Sequence, residues 1–160
     1  GDVYKRQGVA YVPQGRMILS TMSVLENIQT GLPASAHGKV PDDLYELFPV
    51  LWDMRKRKGG NLSGGQQQQL AIARALATNP KVLLLDEPTE GIQPSIIKDI
   101  ARTLKEIRDQ RDLTIVVSEQ VLSFTMAMAD RFLVIDKGRF AYENVRENVD
   151  ETTISKYLSV

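Results

Sequence analysis

An α/β fold built on a parallel sheet is what this sequence predicts, on three observations. The unbroken apolar run Val82-Leu83-Leu84-Leu85 lies between Lys81 and Asp86, the pattern of a central strand covered on both faces. From Pro94 onward Ile97, Ile100, Ala101, Leu104 and Ile107 recur with a 3.6-residue period, and Pro94 falls in the first turn, where its missing N–H is harmless. Leu113 to Val117, which follows directly, reads as a second buried strand, so strand, helix and strand alternate as in sheets joined by right-handed crossovers.

The remaining elements follow in chain order. Gly1 to Gln7 (GDVYKRQ) is polar and begins without Met, and is expected to be a cloning or assembly scar or a frayed chain end. Val9 to Val12 reads as a short strand stopped by Pro13, and residues 8–19 form a strand-and-loop unit. Residues 20–78 carry helical signals: Val24 and Ile28 in one segment, then Leu44, Leu47, Phe48 and Leu51 in another. Between them Pro33 to Pro41 is a loop whose His37 is expected to be exposed and a poor ligand. After the boundary near Asn79-Pro80, residues 79–160 hold the alternating part, continued by a helix over Val121 to Ala129. Phe132 to Ile135 then reads as a further strand, turned by Asp136-Lys137-Gly138 and expected to continue the parallel arrangement.

Composition narrows the chemistry. The 160 residues carry 20 Lys+Arg against 20 Asp+Glu, which gives no support to a phosphate-coating nucleic-acid binder. With no cysteine, a disulfide scaffold, a thiolate metal site and a Cys nucleophile are excluded. No apolar run approaches the ~20 residues a membrane-crossing helix needs. The tract Arg55-Lys56-Arg57-Lys58 is a solvated connector, and Met17, Met22, Met126, Met128 and Trp52 are packing or subunit-contact residues.

Two stretches carry the candidate chemistry. In Leu62-Ser63-Gly64-Gly65-Gln66, Ser63 and Gln66 match a capping box, which alone is only a helix start. Two glycines in a first turn each cost up to ~1 kcal/mol relative to Ala, so something must approach that backbone closely. A helix tip with free N–H groups and a serine hydroxyl suits phosphate. The second stretch, Leu83 to Pro88, delivers Asp86 and Glu87 at a strand's C-terminal end, the place where open α/β sheets bind ligands. Paired acids there can be a polar strand cap. They also supply what a Mg²⁺-nucleotide site needs: Asp86 for the metal shell and Glu87 to orient or deprotonate the attacking water.

Tyr11-Val12-Pro13-Gln14, LSGGQ at Leu62 to Gln66 and LLLDEP at Leu83 to Pro88, in this order, resemble the Q-loop, signature motif and Walker B motif of ABC-transporter ATPases. The resemblance covers nearly everything from Gly8 onward. It implies a P-loop NTPase core with an inserted helical subdomain, ATP and Mg²⁺ as ligands, and Gln14 reaching the Mg²⁺ and the water. It further implies a second ABC ATPase subunit as partner, whose γ-phosphate would be met by Ser63, Gly64 and Gly65. Membrane permease subunits would contact the Q-loop and helical subdomain, at the cytoplasmic face of the plasma membrane. Tyr11 to Arg16, Gln66 to Gln69, Tyr45 to Leu51 and Thr89 to Ser95 resemble the second ATPase subunit of branched-chain amino-acid and amide importers, the urea importer in particular.

Three departures qualify this. No G-x-x-x-x-G-K-[ST] occurs in the chain, and Gly38-Lys39 fails that pattern at Pro33 and Val40. The chain therefore resembles the C-terminal two-thirds of a subunit, expected not to assemble an ATP site alone. Gln120 stands where most ABC ATPases have a histidine at the γ-phosphate, and it can donate a hydrogen bond but not act as an imidazole base. Gln93 stands where many relatives place the D-loop aspartate. A soluble ABC ATPase of DNA repair or ribosome function and a non-catalytic permease-binding module are the alternative readings.

Overall fold

Residues 8–158 are described by the computed structural model; the stretch Gly1 to Gln7, read above as a scar or frayed end, lies outside them. Strand β1 (Val9–Val12) leads into a loop and helix α1 (Val24–Gln29). Helices α2 (Asp42–Leu47), α3 (Pro49–Asp53) and α4 (Gly64–Leu76) follow. Then come β2 (Val82–Asp86), α5 (Pro94–Arg111), β3 (Thr114–Ser118) and α6 (Leu122–Met128). The hairpin β4 (Arg131–Asp136) and β5 (Arg139–Val145) and helix α7 (Glu151–Leu158) complete the described part.

Strands β1, β2 and β3 form one parallel sheet with β2 in the centre, in register Val12 with Leu85 and Leu85 with Val117. One face is the core: Ala10, Val12, Leu83 and Leu85 pack with Leu70, Ile72, Ile100, Leu104 and Ile107 of α4 and α5. Burial of each such aliphatic side chain stabilises by roughly 1.5–3 kcal/mol before chain entropy is set against it. Among the described residues the opposite face is open. Leu84 is only half-buried, and Tyr11 and Val116 are 56% and 52% exposed. The expectation that Val82 to Leu85 is covered on both faces therefore holds for one face only, and β3 is an edge strand rather than a buried one.

The hairpin corrects a second expectation. Phe132 to Ile135 does form a strand, but it pairs antiparallel with β5 in a separate two-stranded sheet and does not join the parallel one. Local turn chemistry decides this: Lys137 (φ 48°) and Gly138 (φ 76°) both take left-handed backbone between the paired residues Asp136 and Arg139. That is the two-residue type I′ connection, whose twist matches an antiparallel pair.

The helical region is tied by its buried polar residue. Asn27 is fully buried, and its amide donates to the carbonyls of Leu19 and Ser23 while its oxygen accepts from Leu19 N at 2.9 Å. This fixes the segment between Gln14 and α1 to the helix. His37 is exposed, as expected. In the basic tract Lys56, Arg57 and Lys58 are exposed, whereas Arg55 lies 4.1 Å over the Trp52 ring, which Tyr45 meets edge-on at 5.1 Å.

Candidate functional site

Because β1, β2 and β3 run parallel, their C-terminal ends share one rim, and Gln14, Asp86, Glu87 and Gln120 all follow or end these strands. Main-chain N–H of Glu87 donates to the Ser118 carbonyl at 2.8 Å, closing the rim between β2 and β3. Glu87 itself holds a left-handed backbone (φ 43°), uncommon for a residue with a Cβ and a feature that clusters at functional sites. Pro88, buried beneath it, ends the strand.

The two amides grip the one carboxylate. Gln14 Nε2 donates to Glu87 Oε2 at 3.2 Å, and Gln120 Nε2 donates to Glu87 Oε1 at 3.1 Å. Residues separated by 73 and 33 positions in the chain thus hold both oxygens of Glu87. Asp86 projects beside it and accepts from the Tyr11 hydroxyl at 3.1 Å. That bond, with desolvation and the Asp86 charge, raises the Tyr11 pKa above its ordinary value, since each favours the neutral phenol.

Leu62 to Gln66 forms a second group at the start of α4. The capping box is closed: Ser63 Oγ accepts from Gln66 N at 3.3 Å, and Gln66 Oε1 accepts from Ser63 N at 3.0 Å. Leu62 is core, and Ser63 is exposed at the tip. The close approach that the glycines demand comes in part from inside the chain. A Cβ on Gly65 would lie 2.5 Å from Ile96 Cγ2, and one on Gly64 would lie 3.2 Å from the Gly91 carbonyl. Gly65 is thus required by packing of α4 on α5, whatever Ser63 and Gly64 bind. Among the described residues no hydrogen bond joins this group to Asp86 or Glu87.

Residues to which the sequence assigns no role of their own connect the neighbourhoods. The Arg16 guanidinium donates to Gln68 Oε1 at 3.1 Å and to the Glu90 carbonyl, linking the loop after Gln14 with α4 and with the loop after Glu87. Arg74 of α4 in turn donates to the Arg16 and Met17 carbonyls at 3.0 and 2.9 Å, and its burial lowers its pKa. The signal for this was faint: Gly15, Arg16 and Met17 take three successive left-handed conformations, which only the first residue type announces.

A nucleotide with Mg²⁺ fits what is present. Among the described residues no group of three or more His, Asp or Glu side chains could cage a metal. The half-buried carboxylate of Asp86 at the strand end would be a sparse protein donor set, suited to a Mg²⁺ held mainly by phosphate and water.

Comparison with known proteins identifies the family. The family model for ABC transporter matches residues 3–90, more than half of the 160-residue chain. The high-affinity branched-chain amino acid transport ATP-binding protein BraG of Pseudomonas aeruginosa is 38% identical over 137 residues, 84% of this chain and 58% of BraG. The probable branched-chain amino acid transport ATP-binding protein LivF of Archaeoglobus fulgidus is 33% identical over 147 residues, 90% of this chain and 62% of LivF. The lipopolysaccharide export system ATP-binding protein LptB of Escherichia coli is 34% identical over 139 residues, 83% of this chain and 57% of LptB. The chain therefore spans between 57% and 62% of the length of these relatives. The crystal structure of the ADP conformation of MJ1267, an ATP-binding cassette of an ABC transporter, superposes with a TM-score of 0.75 at 27% identity, covering 99% of this chain and 71% of that one. On the family match and these relatives together, the chain belongs to the ABC transporter family, as part of its ATPase domain.

Proposed function

We propose that this chain is the signature-bearing and water-activating part of an ATPase subunit that drives import of branched-chain amino acids or amides, urea among them, at the cytoplasmic face of the plasma membrane. The observation that carries the reading is the grip of Gln14 and Gln120 on Glu87 beside Asp86 at the C-terminal rim. The names of BraG and LivF support the solute class, as do the glutamine run at Gln66 and the Gln120 position. No residue described here would touch the solute.

Glu87, held by two amide donors, would align a water and take its proton. Gln14 and Gln120 would fix the carboxylate's plane, and Asp86 would face the metal shell. Mg²⁺, when bound with ATP, supplies charge neutralisation between the phosphates. Ser63 and Gly64, at the separate α4 tip, would offer a hydroxyl and main-chain N–H groups to the nucleotide of a second ABC ATPase subunit. Membrane permease subunits would dock on the Q-loop and helical region.

In a subunit that also carries a P-loop, Glu87→Gln is expected to retain ATP binding, trap the paired form on gel filtration and reduce turnover about 10²- to 10⁴-fold, the usual contribution of a positioned base. Unchanged turnover would remove Glu87 from this role. The 160-residue chain alone, which contains no G-x-x-x-x-G-K-[ST], is expected to show no tight Mg²⁺-dependent ATP binding by fluorescence titration; micromolar binding contradicts that.

A further inference from the structure

Glu119 is half-buried at the end of β3 and sits between two residues of interest, yet it has no part in the reaction as derived so far. Its carboxylate is fully engaged. Oε2 accepts from the Thr89 hydroxyl at 2.7 Å and from Thr89 N at 3.1 Å. Oε1 accepts from the main-chain N–H groups of Gln120 at 2.8 Å and Val121 at 3.0 Å. Four donors from two loops thus converge on one anion, and hydrogen bonds to a charged acceptor are about twice as strong as neutral ones.

The positions of these donors give the carboxylate its significance. Thr89 is buried and lies two residues beyond Glu87, whereas Gln120 is the residue whose side chain holds Glu87 Oε1. The contacts close a ring running from Glu87 along the chain to Thr89, across Glu119 to the Gln120 backbone, and through the Gln120 amide back to Glu87. Glu87 keeps a left-handed backbone inside that ring. An anchor of this kind fixes both the loop that carries the base and the loop that carries its amide partner.

We propose that Glu119 is a positioning residue for ATP hydrolysis, acting through Gln120 and Thr89 to set the Glu87 carboxylate, an inference that rests on the function proposed above. An amide in its place keeps the shape. It offers one accepting oxygen instead of two and turns an NH₂ toward either the Thr89 pair or the Gln120 and Val121 N–H pair.

The test is steady-state ATP hydrolysis by the complete P-loop-bearing subunit with Glu119→Gln, Gln120→Ala and the double variant, beside amide hydrogen exchange of the 160-residue chain. Glu119→Gln should lower kcat about 10- to 100-fold, the scale of a misplacement near 1 Å. The KM for ATP should stay within about twofold, since the ground-state contacts are left in place. Main-chain exchange at Thr89, Gln120 and Val121 should quicken while the α4 and α5 cores do not change. In the Gln120→Ala background the added loss from Glu119→Gln should shrink to a few-fold, because both act on one carboxylate. Additive losses, or a kcat loss matched by raised KM and faster exchange throughout the core, would make Glu119 a general structural tie and overturn the proposal. An unchanged kcat in Glu119→Gln beside an active wild type overturns it alone. A wild-type subunit without turnover overturns the ATPase reading and this inference together.

Discussion

At the residue scale, Glu87 and Gly65 show two different reasons for an unusual residue. Glu87 is strained and held from both sides by amides, which fits a group whose orientation matters. Gly65 is explained by geometry within the fold: Ile96, stiff at its branched carbon, occupies the space a Cβ would need. Gly65→Ala gains helix propensity of up to ~1 kcal/mol but forces overpacking that costs about 1–3 kcal/mol, so chemical denaturation should show net destabilisation. Adding Ile96→Ala removes the clashing Cγ2 and should abolish the penalty of the alanine at 65; a penalty that persists in the double variant would refute the packing explanation. Two adjacent glycines in a first turn call for a close approach, and that much is legible in the sequence. Which atom approaches was not legible, because Ile96 is 31 residues away and brought there only by the α4 and α5 contact.

At the scale of elements, α1 has a capping box of its own. Glu26 accepts from Ser23 N at 2.7 Å while Ser23 Oγ accepts from Glu26 N at 3.1 Å. The backbone bond holds the Glu26 carboxyl below its ordinary value of 4.5. A depressed folded-state pKa contributes stability that is present above the unfolded value and is lost as pH falls through the folded one. Thermal melts from about pH 6 to about pH 3 should therefore show a stability loss that is smaller in Glu26→Gln; identical slopes would deny the cap any linkage. Elements with strong local signals were readable in the sequence: the proline-led α5, the serine-capped α4 and the central β2. The separation of β4 and β5 from the parallel sheet was not, because an alternation count cannot tell a crossover from a hairpin. The Asp136-Lys137-Gly138 turn carried the information, and its two left-handed residues set the antiparallel pairing. Likewise Asp86 and Glu87 announced themselves by type and place and Gln14 only through the family resemblance, whereas Glu119, Thr89 and Arg16 act through contacts 30 to 74 positions long.

Across the described residues the two candidate groups lie on different elements. Gln14, Asp86, Glu87 and Gln120 gather at the sheet rim, while Ser63 and Gly64 stand at the α4 tip with Arg16 and the Gly91 loop beside them. A single nucleotide gripped by one chain would call for both groups to converge. Arg16 and Arg74 tie the loop after Gln14 to α4, so the two groups are fixed relative to each other, and the proposed arrangement has each molecule activate water on its own nucleotide and cap its partner's. Mixing two disabled P-loop-bearing subunits, one carrying Glu87→Gln and the other Ser63→Arg, tests this most directly. If the groups serve different nucleotides, mixed pairs contain one intact site and Mg²⁺-dependent ATP turnover returns; if both serve the same nucleotide, the mixture stays as inactive as either variant alone, and the account is contradicted.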